Sequence, residues 1–192
     1  GHLSYWLLTV GFFVCGFHLA FITVHFPGYL TDNGFDPDVA AWAIALIGLC
    51  NVIGAMASGY ISGRVSMKRV LMFIYISRAV VTVGLLLLPL SLTTVLLFSC
   101  LTGFLWLATV PPTTGLVATM FGTRYMATLY GVVFLGHQVG SFTGVWLGGW
   151  IYERTGNYDL VWWTGVALSI VAVLLHWPIR ESRVRELQAA TS

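Results

Sequence analysis

Gly59-Tyr60-Ile61-Ser62-Gly63-Arg64-Val65-Ser66-Met67-Lys68-Arg69 places three of the chain's nine basic residues within six positions. On either side the sequence runs apolar, from Pro37 to Ser62 and from Val70 to Leu88. A helix needs about 20 such residues to cross the roughly 30 Å hydrocarbon core of a bilayer. A short basic loop between two such runs therefore reads as the turn of a membrane hairpin. The rest of the 192 residues agree, with 58% apolar and 8% charged residues and a mean hydropathy of +0.87. Ordinary soluble domains carry about a quarter charged residues. A nucleic-acid binder is excluded by this membrane character, in which the placement of the charges matters and their sum of +2 hardly does.

Outward from that loop, six apolar runs fill the chain, at about 5–29, 37–62, 70–88, 94–120, 126–152 and 160–177, with a tail at 178–192. They are continuously apolar rather than alternating, so helices are expected and a β-barrel is not. The expected fold class is an all-α membrane protein of six transmembrane helices in one domain. Cys15, Cys50 and Cys100 all lie inside apolar runs, so neither a loop disulfide nor a clustered metal site is expected.

Sorting the basic residues by connection puts Arg64, Lys68 and Arg69 after the second span, Arg124 after the fourth, and Arg180, Arg183 and Arg185 after the sixth. The opposite side holds Asp32, Asp36, Asp38, Glu153 and Asp159 against Arg154. The positive-inside rule then places both termini in the cytoplasm. The start lacks the basic region of a cleavable signal peptide, and a chain opening on Gly1 reads as a processing or cutting boundary. Arg180-Glu181-Ser182-Arg183-Val184-Arg185-Glu186 reads as a solvated tail brushing anionic lipid.

The loop quoted first resembles the cytoplasmic loop motif G-x-L-A-D-R-x-G-R-K-R of the major facilitator superfamily. Gly59, Arg64, Lys68 and Arg69 match it, while Gly63 replaces its acid and Ser66 its second glycine. Tyr130-Gly131 through His137-Gln138 to Gly148-Gly149-Trp150, followed by Thr155-Gly156-Asn157-Tyr158, resembles the eleventh helix and next loop of bacterial monocarboxylate-type members. Gly16-Phe17-His18 to Pro27-Gly28-Tyr29 resembles their seventh helix. The resemblance implies the C-terminal six-helix half, two three-helix repeats, of a twelve-helix transporter in a bacterial inner membrane. Substrate would lie between the halves near the midplane. Either a missing N-terminal half or a second copy in a C2 homodimer would complete it.

Gly136, Gly140, Gly144 and Gly148 recur every four residues in the fifth span, a stripe on which another helix can reach backbone contact. It serves either static packing inside one subunit or a sliding contact with a partner half. The second span offers a counterpart in Gly48, Ala55, Ser58, Gly59 and Ser62. The resemblance implies that these two helices pack across the halves.

Along the first span Cys15, His18, Ile22, His25 and Tyr29 follow at three- and four-residue steps, so they share one helical face. The resemblance aims that face at the cavity. A histidine there either hydrogen-bonds a neighbouring helix or, titrating near neutral pH, holds a carboxylate and passes a proton. His18 and His25 stand about 10 Å apart along the axis. That is too far to share a metal ion, so no metal is expected. Arg78 lies roughly 13 Å beyond Arg69 along a helix, at a cost of about 2.5–3.5 kcal/mol for burial at the bilayer centre. All seven acids lie in loops or the tail. Arg78 must therefore turn to helix carbonyls, cavity water, an acid from a missing half, or an anionic substrate held in its fork.

Pro111-Pro112 removes two backbone donors from the fourth span, flanked by Trp106, Thr109 and Thr113. Either the two threonines satisfy a gentle kink, or freed carbonyls face a cavity. His137 and Gln138, with Tyr130 two turns earlier, reach the cavity or pair with Asn51. The spans thus hold Arg78, His18, His25 and His137 but no carboxylate, an inventory that favours anions.

The function expected is secondary transport of a small organic anion, a monocarboxylate by resemblance, with a proton as candidate co-substrate. The expected substrate-binding set is His18, His25, Arg78, Trp106, His137, Gln138, Asn51 and Tyr130, without cofactor or catalytic residue. The alternative is a half that does not transport until its N-terminal partner joins. An intramembrane protease is disfavoured, because Ser58 and Ser141 sit in small-residue packing stripes.

Overall fold

The computed structural model describes residues 2–182, so Arg183, Arg185 and Glu186 of the expected tail lie outside the described residues. Seven helices follow in order: α1 Leu3–Asp32, α2 Pro37–Ser62, α3 Met67–Leu87, α4 Leu92–Leu105, α5 Val110–Phe121, α6 Met126–Thr155 and α7 Asp159–His176. No strand occurs among the described residues. The protein is all-helical, as expected, but the fourth run is two helices, α4 and α5, joined through Trp106–Thr109. Five stretches are long and apolar enough to cross a membrane, α4 and α5 together making one of them. The 30-residue α6 is not among them, its hydropathy diluted by its glycines, His137 and Gln138.

The helix ends follow local chemistry. Asp36 accepts the Asp38 amide at 2.9 Å with Pro37 in the first turn, and Ser91 accepts the Thr94 amide at 3.2 Å. α5 stops at Gly122 (φ 77°) and α6 at Gly156 (φ 71°), conformations that a side chain would strain.

α1 is the centre of the bundle. At one end its Phe17, Phe21 and Phe26 pack with Phe98 of α4 and Trp162 of α7; at the other its Leu8 and Phe12 join Leu71, Tyr75 and Leu116. Its main partner is α6, and the glycine stripe sets the contact. A Cβ at Gly136 would meet Thr9, one at Gly140 the Phe13 carbonyl, and one at Gly144 the Phe17 carbonyl. Both sides advance by four residues, so the two helices run parallel. The stripe is therefore occupied by α1 of the same chain, the first of its two expected uses. α2 and α4 also run parallel, with Gly54 against the Phe104 backbone and Gly103 against Ile47. Gly54, rather than Gly48 or Gly59, makes that approach: Gly48 faces open space, and Gly59 has only the Pro111 ring at 3.8 Å.

One end of the bundle collects the start of α1, the α2–α3 loop and the exit of α7. Lys68 Nζ donates to the Trp177 and Ile179 carbonyls at 3.1 and 2.8 Å. Glu181 accepts from Ser66 Oγ and from the Lys68 amide at 2.7 Å each, and the Arg180 amide donates to Ser4 Oγ at 3.1 Å. The start of the tail, expected to be solvated, is thus docked, because α3 opens with unpaired amides that a carboxylate satisfies.

Candidate anion site

The site begins with the break between α4 and α5. Pro111 and Pro112 open α5 and have no amide to donate back along the chain. The non-helical stretch Trp106–Thr109 before them leaves further carbonyls and amides without helical partners, and three neighbouring side chains take these up. Arg78 Nη2 donates to the Leu105 carbonyl at 2.7 Å and to the Trp106 carbonyl at 2.6 Å. Asn51 Oδ1 accepts the Leu107 amide at 3.0 Å, and Ser58 donates to the Ala108 carbonyl. The expected kink satisfied by Thr109 and Thr113 is not what forms: Thr109 meets the Cys15 thiol at 3.1 Å, and Thr113 Oγ1 has no partner. The reason is reach, since the broken turn faces α2 and α3, where Asn51, Ser58 and Arg78 stand. The expected pairing of Asn51 with His137 and Gln138 does not form either; His137 Nδ1 instead donates to Gln138 Oε1 at 3.2 Å.

Arg78 is only 7% exposed, and one of its nitrogens, Nη1, is buried without a partner. It lines a small pocket with His18, Leu19 and Ile22 of α1, Thr82 of α3, Thr102 of α4 and Trp106 at the break. The pocket is small, about 20 Å³. That is room for about one water. His18 Nε2 lies 2.8 Å from the Gly165 carbonyl of α7. A carbonyl only accepts, so Nε2 carries the hydrogen, and Nδ1, also buried without a partner, is left as an acceptor in the neutral ring. The pocket therefore offers a guanidinium donor, an imidazole acceptor and two threonine hydroxyls, with no carboxylate. Every described Asp and Glu lies in a loop or at a helix end.

The remaining candidates fall into two other groups. Tyr130 and His137 gather around Phe12, at ring distances of 6.3 and 5.0 Å, and His137 stacks on Phe134 at 5.3 Å. Gln138 is held there by His137. His25 lies apart, donating from Nε2 to the Val145 carbonyl at 2.9 Å, its ring 5.4 Å from Tyr158. The structure thus brings together His18, Arg78 and Trp106, with Asn51 behind the break. The sequence reading missed Thr82 and Thr102. Each stands four residues from a residue already singled out, Arg78 and Trp106, and so on the same helical face.

The curated relatives are larger than this chain. A monocarboxylate transporter 12-B of Danio rerio is 30% identical over 160 residues, covering 79% of this chain and 33% of its own length. An uncharacterized MFS-type transporter, YcxA, of Bacillus subtilis is 26% identical over 178 residues, covering 87% of this chain and 41% of its own. The crystal structure of a major facilitator superfamily transporter, FucP, in the outward conformation superposes with a TM-score of 0.72 at 14% identity. That match covers 94% of this chain and 43% of that one, and it shows the shared fold. The chain therefore spans 33% to 43% of the length of these proteins. The Major Facilitator Superfamily profile matches residues 8–192, nearly the whole sequence, and by that match the chain belongs to the major facilitator superfamily, a family of membrane transporters.

Proposed function

We propose that this chain forms one six-helix half of a secondary transporter that moves a small organic anion, of the monocarboxylate class, by alternating access. The observation that carries this reading is Arg78: a buried guanidinium with one nitrogen unpaired, beside His18 and Trp106 and away from every described acid. A carboxylate would take the free N–H, and a proton arriving with it would find an acceptor in His18 Nδ1. The pocket as it stands holds about one water. Binding a carboxylate then requires it to open, which suits a site that cycles between open and closed states. The names of the relatives support the substrate class. The basic end, with Arg64, Lys68, Arg69 and Arg124, faces the cytoplasm under the positive-inside rule. His137, Gln138 and Tyr130 flank the route on α6, and His25 lies nearer the acidic end.

A second reading, that this half works only beside an N-terminal half, draws support from the 33% to 43% of the related proteins that the chain spans. The test is uptake of labelled monocarboxylates into proteoliposomes holding this chain alone, with and without an inward proton gradient, alongside its mass in nanodiscs. Saturable uptake with a dimeric mass supports a working homodimer. A monomer without uptake that is nonetheless stabilised against heat by carboxylates supports the partner-dependent half. Absence of both uptake and stabilisation across the panel overturns the anion site.

A further inference from the structure

A second cavity borders the same helix break at Leu105 and Ala108 but shares no lining residue with the anion pocket. It is a groove of about 330 Å³ between α2 and α3, walled by Gly54, Ala57 and Ile61 of α2, Phe73 of α3 and Phe104 of α4, with Arg69 at its basic end. The wall is apolar apart from Arg69 and the Ser58 hydroxyl, which is already committed to the Ala108 carbonyl. The three basic residues of the loop are not equivalent. Lys68 is committed to the Trp177 and Ile179 carbonyls, and Arg64 lies over the Tyr60 ring, 3.5 Å from its centroid, while donating to the Tyr60 carbonyl. Arg69 is exposed and lines the groove.

We infer that this groove is a binding site for one anionic phospholipid, an acyl chain lying along Gly54–Ile61 and the phosphate on Arg69. The occupant must be apolar for roughly 10 Å, the rise from Gly54 to Ile61, and anionic at the end where Arg69 stands. A phospholipid meets both requirements and enters sideways from the bilayer that surrounds the chain. Basic pockets between transmembrane helices hold lipid head groups in the same way.

The test is native mass spectrometry of the whole chain released from nanodiscs of equal phosphatidylglycerol and phosphatidylcholine. The expected result is retention of phosphatidylglycerol over phosphatidylcholine. Arg69→Gln should weaken that retention about five-fold, the effect of one basic residue near the surface, and Arg69→Lys should restore it. Ala57→Phe fills the groove and should abolish retention of either lipid; Ala57→Val, a smaller step, replaces it if the first variant does not fold. Equal retention of the two lipids, an unchanged Arg69→Gln variant, or full retention with the groove filled would each overturn the site.

Discussion

Arg78 divides its guanidinium: Nη2 closes the carbonyls of Leu105 and Trp106, and Nη1 is left without a partner, free for the proposed carboxylate. Arg78→Lys keeps the charge but cannot reach both carbonyls and a carboxylate together. Losing one charge-assisted hydrogen bond, worth about 1.5–3 kcal/mol, should weaken carboxylate binding ten-fold or more, read as a smaller ligand-induced thermal shift. Asn51→Leu strands the half-buried Leu107 amide and should lower stability by about 1 kcal/mol with little change in substrate preference, which unfolding in lipid micelles would show. That Arg78 needs a special partner was legible in the sequence, because no acid shares its span. Which partner it takes was not, since the choice depends on which helix the proline break faces. Asn51 shows the same limit: its polarity in an apolar run marked it, but nothing local said that its partner was a backbone amide 56 residues away.

Among the elements, α6 is the one whose sequence most directly dictates its neighbour. Its glycines let α1 approach to backbone contact, so Gly140→Leu would drive a side chain into the Phe13 carbonyl. A loss of about 3 kcal/mol, the upper end of overpacking costs, is expected, seen as aggregation or a collapsed melting temperature. Gly131 on the same helix meets nothing within 4 Å, and Gly131→Ala should raise stability by about 0.5–1 kcal/mol. The four-residue period was readable as a packing stripe, whereas the identity of the helix it packs on requires three dimensions. The α2–α3 loop illustrates the converse. Gly63 lacks the acid found in the family's loop motif, yet Glu181, far along the chain, caps the start of α3. Glu181→Gln should cost about 1 kcal/mol in thermal unfolding, and restoring an acid at position 63 should not recover it, because the cap is made at Ser66 and Lys68.

At the scale of the molecule, the two ends of the bundle differ in charge, and that asymmetry is testable in intact cells. A cysteine at Asn33 should react with a membrane-impermeant maleimide from outside, while one at Arg64 should react only after lysis; the reverse pattern would invert the assigned orientation. The run count and charge sorting behind this proposed topology are visible in the sequence because membrane insertion reads the same features. The interruption of the fourth run was legible in Pro111-Pro112; what escaped was that Arg78, Asn51 and Ser58 take up the freed backbone, since that is set by what the neighbouring helices offer. The parallel seam of α1 and α6 also constrains how the protein is made. Its hydrogen bonds join residues 120 to 125 positions apart, as in His25 to Val145, Ser141 to Gly16 and Tyr5 to Leu129. A ribosome adding 5–20 residues per second needs about 6–25 s to deliver the second member of each pair. Through that interval the central helix of the finished bundle sits in the lipid without its main neighbour, open to quality-control proteases and to other nascent helices. The step that commits the chain to its native form therefore comes late, when the glycine face of α6 leaves the translocon and finds α1 waiting.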